Sequence, residues 1–292
     1  MTAVTGPPRS TVTWRRTWIV ARTDLTQLIQ AKDFWVPMML LGSIFFLIIP
    51  TLLLLAITSV GDVEAVRQIS ETLEQISSVS DKIPSVANGE PMSAAGRTSY
   101  TLAVFLLAPV AVIVPLTIST AVGAATIVGE RERGTGEFLA HSPADVKEIY
   151  GGKLLASLVP GYFTTIVGFG LYSLVVNLIV GPEVGGWFFP TREWWFLMFW
   201  IVPPFLLLTL SLVLRLSARV KSTAAAQQAS GLVTLPLILI AYSQSTGALF
   251  GTSSMTFTII LGAVAWLLAV FSVTFNLRAV TRARLLGVAD EQ

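Results

Sequence analysis

The sequence contains no cysteine and a single histidine, His141. Disulfides, thiolate nucleophiles and cysteine metal sites are therefore impossible, and no second imidazole exists to complete a histidine-based metal site. Charge is scarce as well: Asp, Glu, Lys and Arg make up 12% of the 292 residues, against about 25% in an ordinary soluble domain. Hydrophobic residues reach 53%, and the mean hydropathy is +0.73. A soluble fold of this composition would expose large apolar patches to water. The chain therefore reads as an all-α integral membrane protein. A disordered chain, a nucleic-acid-binding domain and a disulfide-stapled secreted fold are excluded.

A helix crossing roughly 30 Å of hydrocarbon needs about 20 mostly apolar residues. Six windows meet that requirement with no formal charge inside them: 34–58, 100–128, 154–180, 194–214, 223–242 and 255–277. The fifth is the weakest, because Gln227, Gln228 and Ser230 lie in its first half. A long polar or mixed stretch precedes the first apolar run, which exceeds the core of a signal peptide, so the first span is expected to be a permanent anchor. Of the nineteen Lys and Arg residues, fifteen fall in the N-terminal segment, alternate connections and the C-terminal tail. The other four are Arg67, Lys82, Arg97 and Arg192. This asymmetry predicts six transmembrane helices in a cell membrane with both termini cytoplasmic.

The expected organisation is a flexible N-terminus (1–13), an amphipathic helix (14–33), a six-span domain (34–280) and a cytoplasmic tail (281–292). In the second segment, Trp14, Trp18, Ala21, Leu25, Leu28 and Ile29 fall on one stripe, while Arg15, Arg16, Thr23, Gln27 and Gln30 face away. Such a helix lies in the headgroup plane, its apolar face in lipid and its arginines on anionic phosphates. It can serve as a simple topogenic anchor or as an elbow that transmits force into the first span. The external connection 61–99 places Val66, Ile69, Leu73, Ile76 and Ile83 near heptad spacing, which predicts an external helix packed on a second subunit or on its own bundle.

The cytoplasmic connection 129–153 is much longer than the two to eight residues that join neighbouring helices in bundles. The second span is expected to run through Glu130, Arg131 and Glu132 and to stop at Gly134, a suitable C-cap residue. Thr135 can N-cap a short transverse helix with Glu137 in its first turn, which would expose Phe138 and Leu139 unless a partner covers them. Ser142 is then expected to cap the next helix, with Pro143 in its first position and Asp145 as the capping-box acid. Gly151 and Gly152 lead towards the third span. This construction suits a docking surface, although a solvated loop face would use the same charges.

The run Gly129-Glu-Arg-Glu-Arg-Gly-Thr-Gly-Glu-Phe-Leu139, followed by Asp145, Glu148-Ile149 and Gly152-Lys153, resembles the signature loop of type-2 ATP-binding-cassette (ABC) exporter permeases. An amphipathic elbow before six spans also matches that family. The connection 243–254 departs from it, being short and uncharged where many members carry re-entrant helical pieces. The resemblance implies a non-catalytic membrane subunit that binds no cofactor itself, with ATP and Mg held by a separate ABC ATPase subunit. It implies that 135–141 is the coupling helix, supported by Glu130, Arg131, Glu132 and Glu137. A second permease, identical or related, would complete the translocation path.

Other chemistry is missing. The nearest match to a phosphate-binding loop, Gly151-Gly152-Lys153-Leu154, lacks the hydroxyl residue that follows the lysine. With no ionisable group inside the spans as drawn, a secondary carrier is disfavoured. A membrane scaffold that recruits a different cytosolic protein is the principal rival. Thr117, Thr120, Gln227 and Gln228 are polar positions that either bond between helices or line a translocation path. An uncharged interior suits an amphiphilic substrate such as a lipid, drug or peptide. Trp187, Trp194 and Trp195 read as an interfacial belt.

Overall fold

The computed structural model describes residues 13–61, 63–75, 83–84, 86–87, 89–132, 142–217, 225, 228, 231, 234–235 and 255–279. The elements are α1 (Trp14–Gln30), α2 (Lys32–Ser43), α3 (Ile49–Val60), α4 (Glu64–Gln75), β1 (Val86–Ala87), β2 (Glu90–Pro91), α5 (Ala94–Thr101) and α6 (Val110–Glu132). They continue with α7 (Val146–Ile179), α8 (Gly181–Val184), α9 (Arg192–Phe196), α10 (Val202–Ser217) and α11 (Met255–Ala279). Among the described residues, five stretches are long and apolar enough to cross a membrane: Trp35–Val60, Ala94–Thr126, Val146–Ile179, Arg192–Leu216 and Thr258–Arg278. The expected span 223–242 lies almost wholly outside the described residues.

Three of the five stretches contain a wide π-type turn, and each such turn sits just before proline. Ile44–Ile48 precedes Pro50, Leu102–Leu106 precedes Pro109, and Leu197–Ile201 precedes Pro203 and Pro204. Proline has no N–H to give, and its ring crowds the carbonyl four residues back, so the hydrogen-bond ladder must open there. In the second stretch the Leu107 N–H turns to the Leu102 carbonyl (3.0 Å) and the Ala108 N–H to that of Phe105 (3.3 Å). The skipped carbonyls find side-chain donors. The Tyr172 hydroxyl donates to Ala103 (2.6 Å), and the Trp194 indole N–H donates to Val104 (2.8 Å). Trp194 is thus a buried fastener, which corrects its expected place in an interfacial belt; Trp187 and Trp195 are exposed.

In the bundle, α6 packs on α7 and α10, α10 packs on α11, and α1 lies along the start of α7. Small residues permit the closest approach: a Cβ at Gly161 of α7 would collide with Ser119 of α6 and lie 3.0 Å from the Pro115 carbonyl. The main core joins Phe46, Val114, Leu116, Phe169, Tyr172, Trp194 and Met198. A smaller core at the basic end holds Ile149, Tyr150, Leu154, Leu210 and Leu214. The segment 61–99 contains a helix, α4, which packs on α5 of the same chain with Val66 buried.

Two boundaries differ from expectation. The second stretch begins at Ala94, because Ser93 caps it by accepting the Gly96 N–H (2.9 Å). The third begins at Val146 and not at 154. Its N-cap is Asp145, with Glu148 as the reciprocal capping-box partner; Ser142 and Pro143 stand in the bend before it. Lys147, Glu148 and Lys153 therefore belong to one continuous helix with the third span.

Candidate functional site

The beginning of α7 is the most heavily charged buried region among the described residues. Glu148 and Lys153 have no exposed surface, and Asp24 of α1 is nearly as enclosed. An uncompensated charge cannot be buried cheaply, so each of these groups requires partners.

Glu148 has several. One carboxylate oxygen accepts the Thr13 backbone N–H (2.6 Å) and the Thr13 hydroxyl (3.1 Å). The other accepts the Asp145 N–H (2.8 Å), with the Arg16 guanidinium 3.9 Å away. Arg16 also donates to the Pro143 carbonyl (3.3 Å). One side chain thereby caps its own helix and secures the start of α1. Five residues further along α7, about 7.5 Å at helical rise, the Lys153 ammonium meets two other helices. It donates to the Thr126 carbonyl of α6 (2.6 Å) and pairs with Asp24 of α1 (3.6 Å).

Between these two charges lie Gly151 and Gly152, and their lack of side chains sets the spacing. A Cβ at 152 would fall 2.7 Å from the Val20 side chain and 3.0 Å from the Thr17 carbonyl. The backbones of α1 and α7 can approach this closely only because position 152 is glycine. The glycine pair lies in the helix, where the sequence suggests a lead into it.

α1 consequently has three faces. Thr17, Ala21 and Asp24 are buried against α7. Trp14, Trp18 and Ile29 are exposed, as an apolar face presented to lipid would be, and Leu25 is half-buried. Arg15 and Arg22 point outward, whereas Arg16, expected to face away with Arg15, turns in towards Glu148. Ala21 leaves the expected lipid stripe for the protein interface.

The remaining candidates are dispersed. The α6 backbone is helical through Glu130, Arg131 and Glu132, in keeping with the expected run-out of the second span. Gly134, Thr135, Glu137, Phe138 and Leu139 lie outside the described residues. Ser142 is half-buried and Pro143 exposed at the entry to α7. Thr117 is exposed and donates to the Ile113 carbonyl of its own helix (2.8 Å), whereas Thr120 is buried and donates to Thr117 (3.1 Å). Gln228 is exposed, and Gln227 lies outside the described residues. Glu148, Lys153 and Asp24 are the residues that a site prediction from sequence omits. The first two were visible as parts of the loop motif. The spacing of Asp24 with Thr17 and Ala21 was the available signal for a second, protein-facing stripe.

The arrangement holds three helices in a fixed relation at the point where α6 and α7 lead into and out of the 133–141 connection. No curated protein matches the chain. The family model described as ABC-2 family transporter protein matches residues 18–257, from the first turns of α1 to the start of α11. The chain belongs to that family and is a multi-pass membrane protein of the ABC-transporter permease type.

Proposed function

We propose that this chain is the membrane-spanning subunit of an ATP-driven exporter, with six spans, an interfacial elbow formed by α1, and both termini in the cytoplasm. Its 129–153 connection docks a separate ABC ATPase. Glu130, Arg131, Glu132 and Glu137 set the register by ion pairs, and Phe138 and Leu139 supply apolar contact. A second permease, identical or related, encloses the path with it. The substrate is amphiphilic, in keeping with apolar spans.

The observation that carries this reading is the convergence of α1, α6 and α7 on one basic end, with α6 and α7 flanking the family-like connection. Closure of a partner ATPase against that connection would act on the helices nearest to it and change their tilt.

The test is purification of the chain from its native membrane in mild detergent, with identification of co-eluting proteins and assay of vanadate-sensitive ATP hydrolysis. A stoichiometric ATPase that is lost when Glu132 and Glu137 are both replaced by lysine supports docking through the connection. A stable chain without ATPase after gentle extraction favours a scaffold or a secondary carrier. Hydrolysis that ignores amphiphiles and rises sharply with one hydrophilic solute overturns the substrate class.

A further inference from the structure

We propose that Lys153, assisted by Glu148, is a positioning residue for coupling: it fastens α1 to the end of α6 and the start of α7, so that the three move as one body when an ATPase presses on the 133–141 connection. This inference rests on the permease reading. It adds a route by which motion reaches the first span through α1.

The route is continuous in the structure. The Lys153 ammonium bridges the Thr126 carbonyl on α6, six residues before that helix ends at Glu132, and the Asp24 carboxylate on α1. Glu148 ties the first residue before α1 to the first turn of α7 through Thr13. Beyond these fastenings, α1 passes into α2 through a single non-helical residue, Ala31 (φ −84°, ψ 89°). A rigid α1 that shifts with α6 and α7 must therefore displace or rotate the start of the first span about Ala31.

Packing alone would not need these charges. Buried ion pairs stabilise less than well-packed apolar residues of similar volume, because each ion must be stripped of water. A charged joint is instead specific in direction and partner: a cationic donor such as an ammonium can donate to a carbonyl and pair with a carboxylate at once, which no apolar side chain can do. The glycine pair keeps α1 seated at rest, and the charges resist its separation under load.

Because the chain has no cysteine, introduced thiols report cleanly on this joint. In the purified permease–ATPase complex, Thr17→Cys with Gly151→Cys places thiols at positions where a Cβ on residue 151 would lie 3.2 Å from the Thr17 side chain. Disulfide formation is measured without nucleotide and after trapping with ATP and vanadate. The expected result is equal cross-linking in both states, with ATP hydrolysis of the cross-linked complex unchanged. Adding Lys153→Met should lower cross-linking by about tenfold in the trapped state and far less without nucleotide. A cross-link that blocks hydrolysis shows that α1 must leave α7 during the cycle and overturns the proposal. Equal loss in both states, or no loss, overturns it too, since a merely structural fastening would not distinguish them.

Ala21→Cys, at a fully buried position of α1, gives a second readout should the double-cysteine variant fail to fold. Maleimide labelling should stay slow in both states and accelerate on trapping only with Lys153→Met. Acceleration in the otherwise native chain overturns the joint. Absence of any co-purifying ATPase overturns the permease reading itself. A co-purified ATPase with α1 released on trapping overturns the fastening alone.

Discussion

Where α7 ends, a neutral amide closes the bundle. The Asn177 carbonyl oxygen accepts the N–H groups of Phe188 and Phe189 (both 3.0 Å), and its amide N–H groups donate to the carbonyls of Ser173 and Phe189. Around it, Phe189 and Tyr172 pack on Trp194, with ring centroids 4.9 and 5.3 Å away. Where α7 begins, the same task of holding a neighbouring segment falls to a buried carboxylate and a buried ammonium. The neutral end satisfies its polar groups locally and surrounds them with aromatic surface, which stabilises without costly desolvation. The charged end accepts that cost, and its partners lie on other helices. A difference of this kind separates a seal from a joint.

The sharpest way to break the comparison is to remove one ion at the charged end. Lys153→Met should destabilise the protein by about 3–5 kcal/mol, because Asp24 loses its ammonium partner while remaining enclosed. Thermal unfolding in detergent measures this. Adding Asp24→Leu should restore most of the loss, since the buried pair is then replaced by apolar surface. A double variant no more stable than the single one would mean that Asp24 is not the group left exposed to the penalty.

Gly152→Ala ranks next. The added methyl would meet Val20 at 2.7 Å and the Thr17 backbone at 3.0 Å, so α1 must move outward. Overpacking of this kind costs about 1–3 kcal/mol. The change should also speed labelling of a cysteine at position 21, which no variant at the far end of α7 should do. At that end, Asn177→Ala would strip two N–H groups, that of buried Phe189 and that of half-buried Phe188, of their acceptor, at a cost of about 1–3 kcal/mol, and should leave the seating of α1 unaltered. If Asn177→Ala did loosen α1, the two ends would be one cooperative unit and the contrast between them would fail.

Much of the membrane architecture was legible in the sequence, for a physical reason. Hydropathy over a 20-residue window is a sum, and sums survive errors at individual positions. The third span was drawn eight residues late because a window that rejects charge cannot include Glu148 or Lys153, although both are compatible with a helix once neighbours pair them. Counting Lys153 as a loop cation for orientation hid its role in the same way. Arg16 was assigned to the outward polar face on periodicity alone, and periodicity cannot report a partner more than a hundred residues away. The π turns were half visible. Prolines 50, 109 and 203 mark where the ladder must open, but nothing local says that Tyr172 and Trp194 will fill two of the freed acceptors. Residues 133–141 were read through their resemblance to the family's loop, and Gly134, Thr135, Glu137, Phe138 and Leu139 lie outside the described residues.

The smallest expected effect concerns the candidate path. Thr117 and Thr120 sit one turn apart on α6, yet only Thr117 is exposed, and its hydroxyl is satisfied by the Ile113 carbonyl of the same helix. Thr117→Val removes that local bond and nothing between helices, so stability should change by less than about 0.5 kcal/mol, as for a surface substitution. Thr120→Val alters a buried position whose bond is also local, and its cost depends on how well the methyl fits its enclosed site. If Thr117 lines a path, Thr117→Val should change how amphiphiles stimulate ATP hydrolysis while the unfolding temperature holds still. Thr120→Val should show the reverse, a shifted unfolding temperature with stimulation intact. Equal behaviour of the two variants in both measurements would remove Thr117 from the path and leave α6 as a packing helix there, with its exposed stripe turned to lipid.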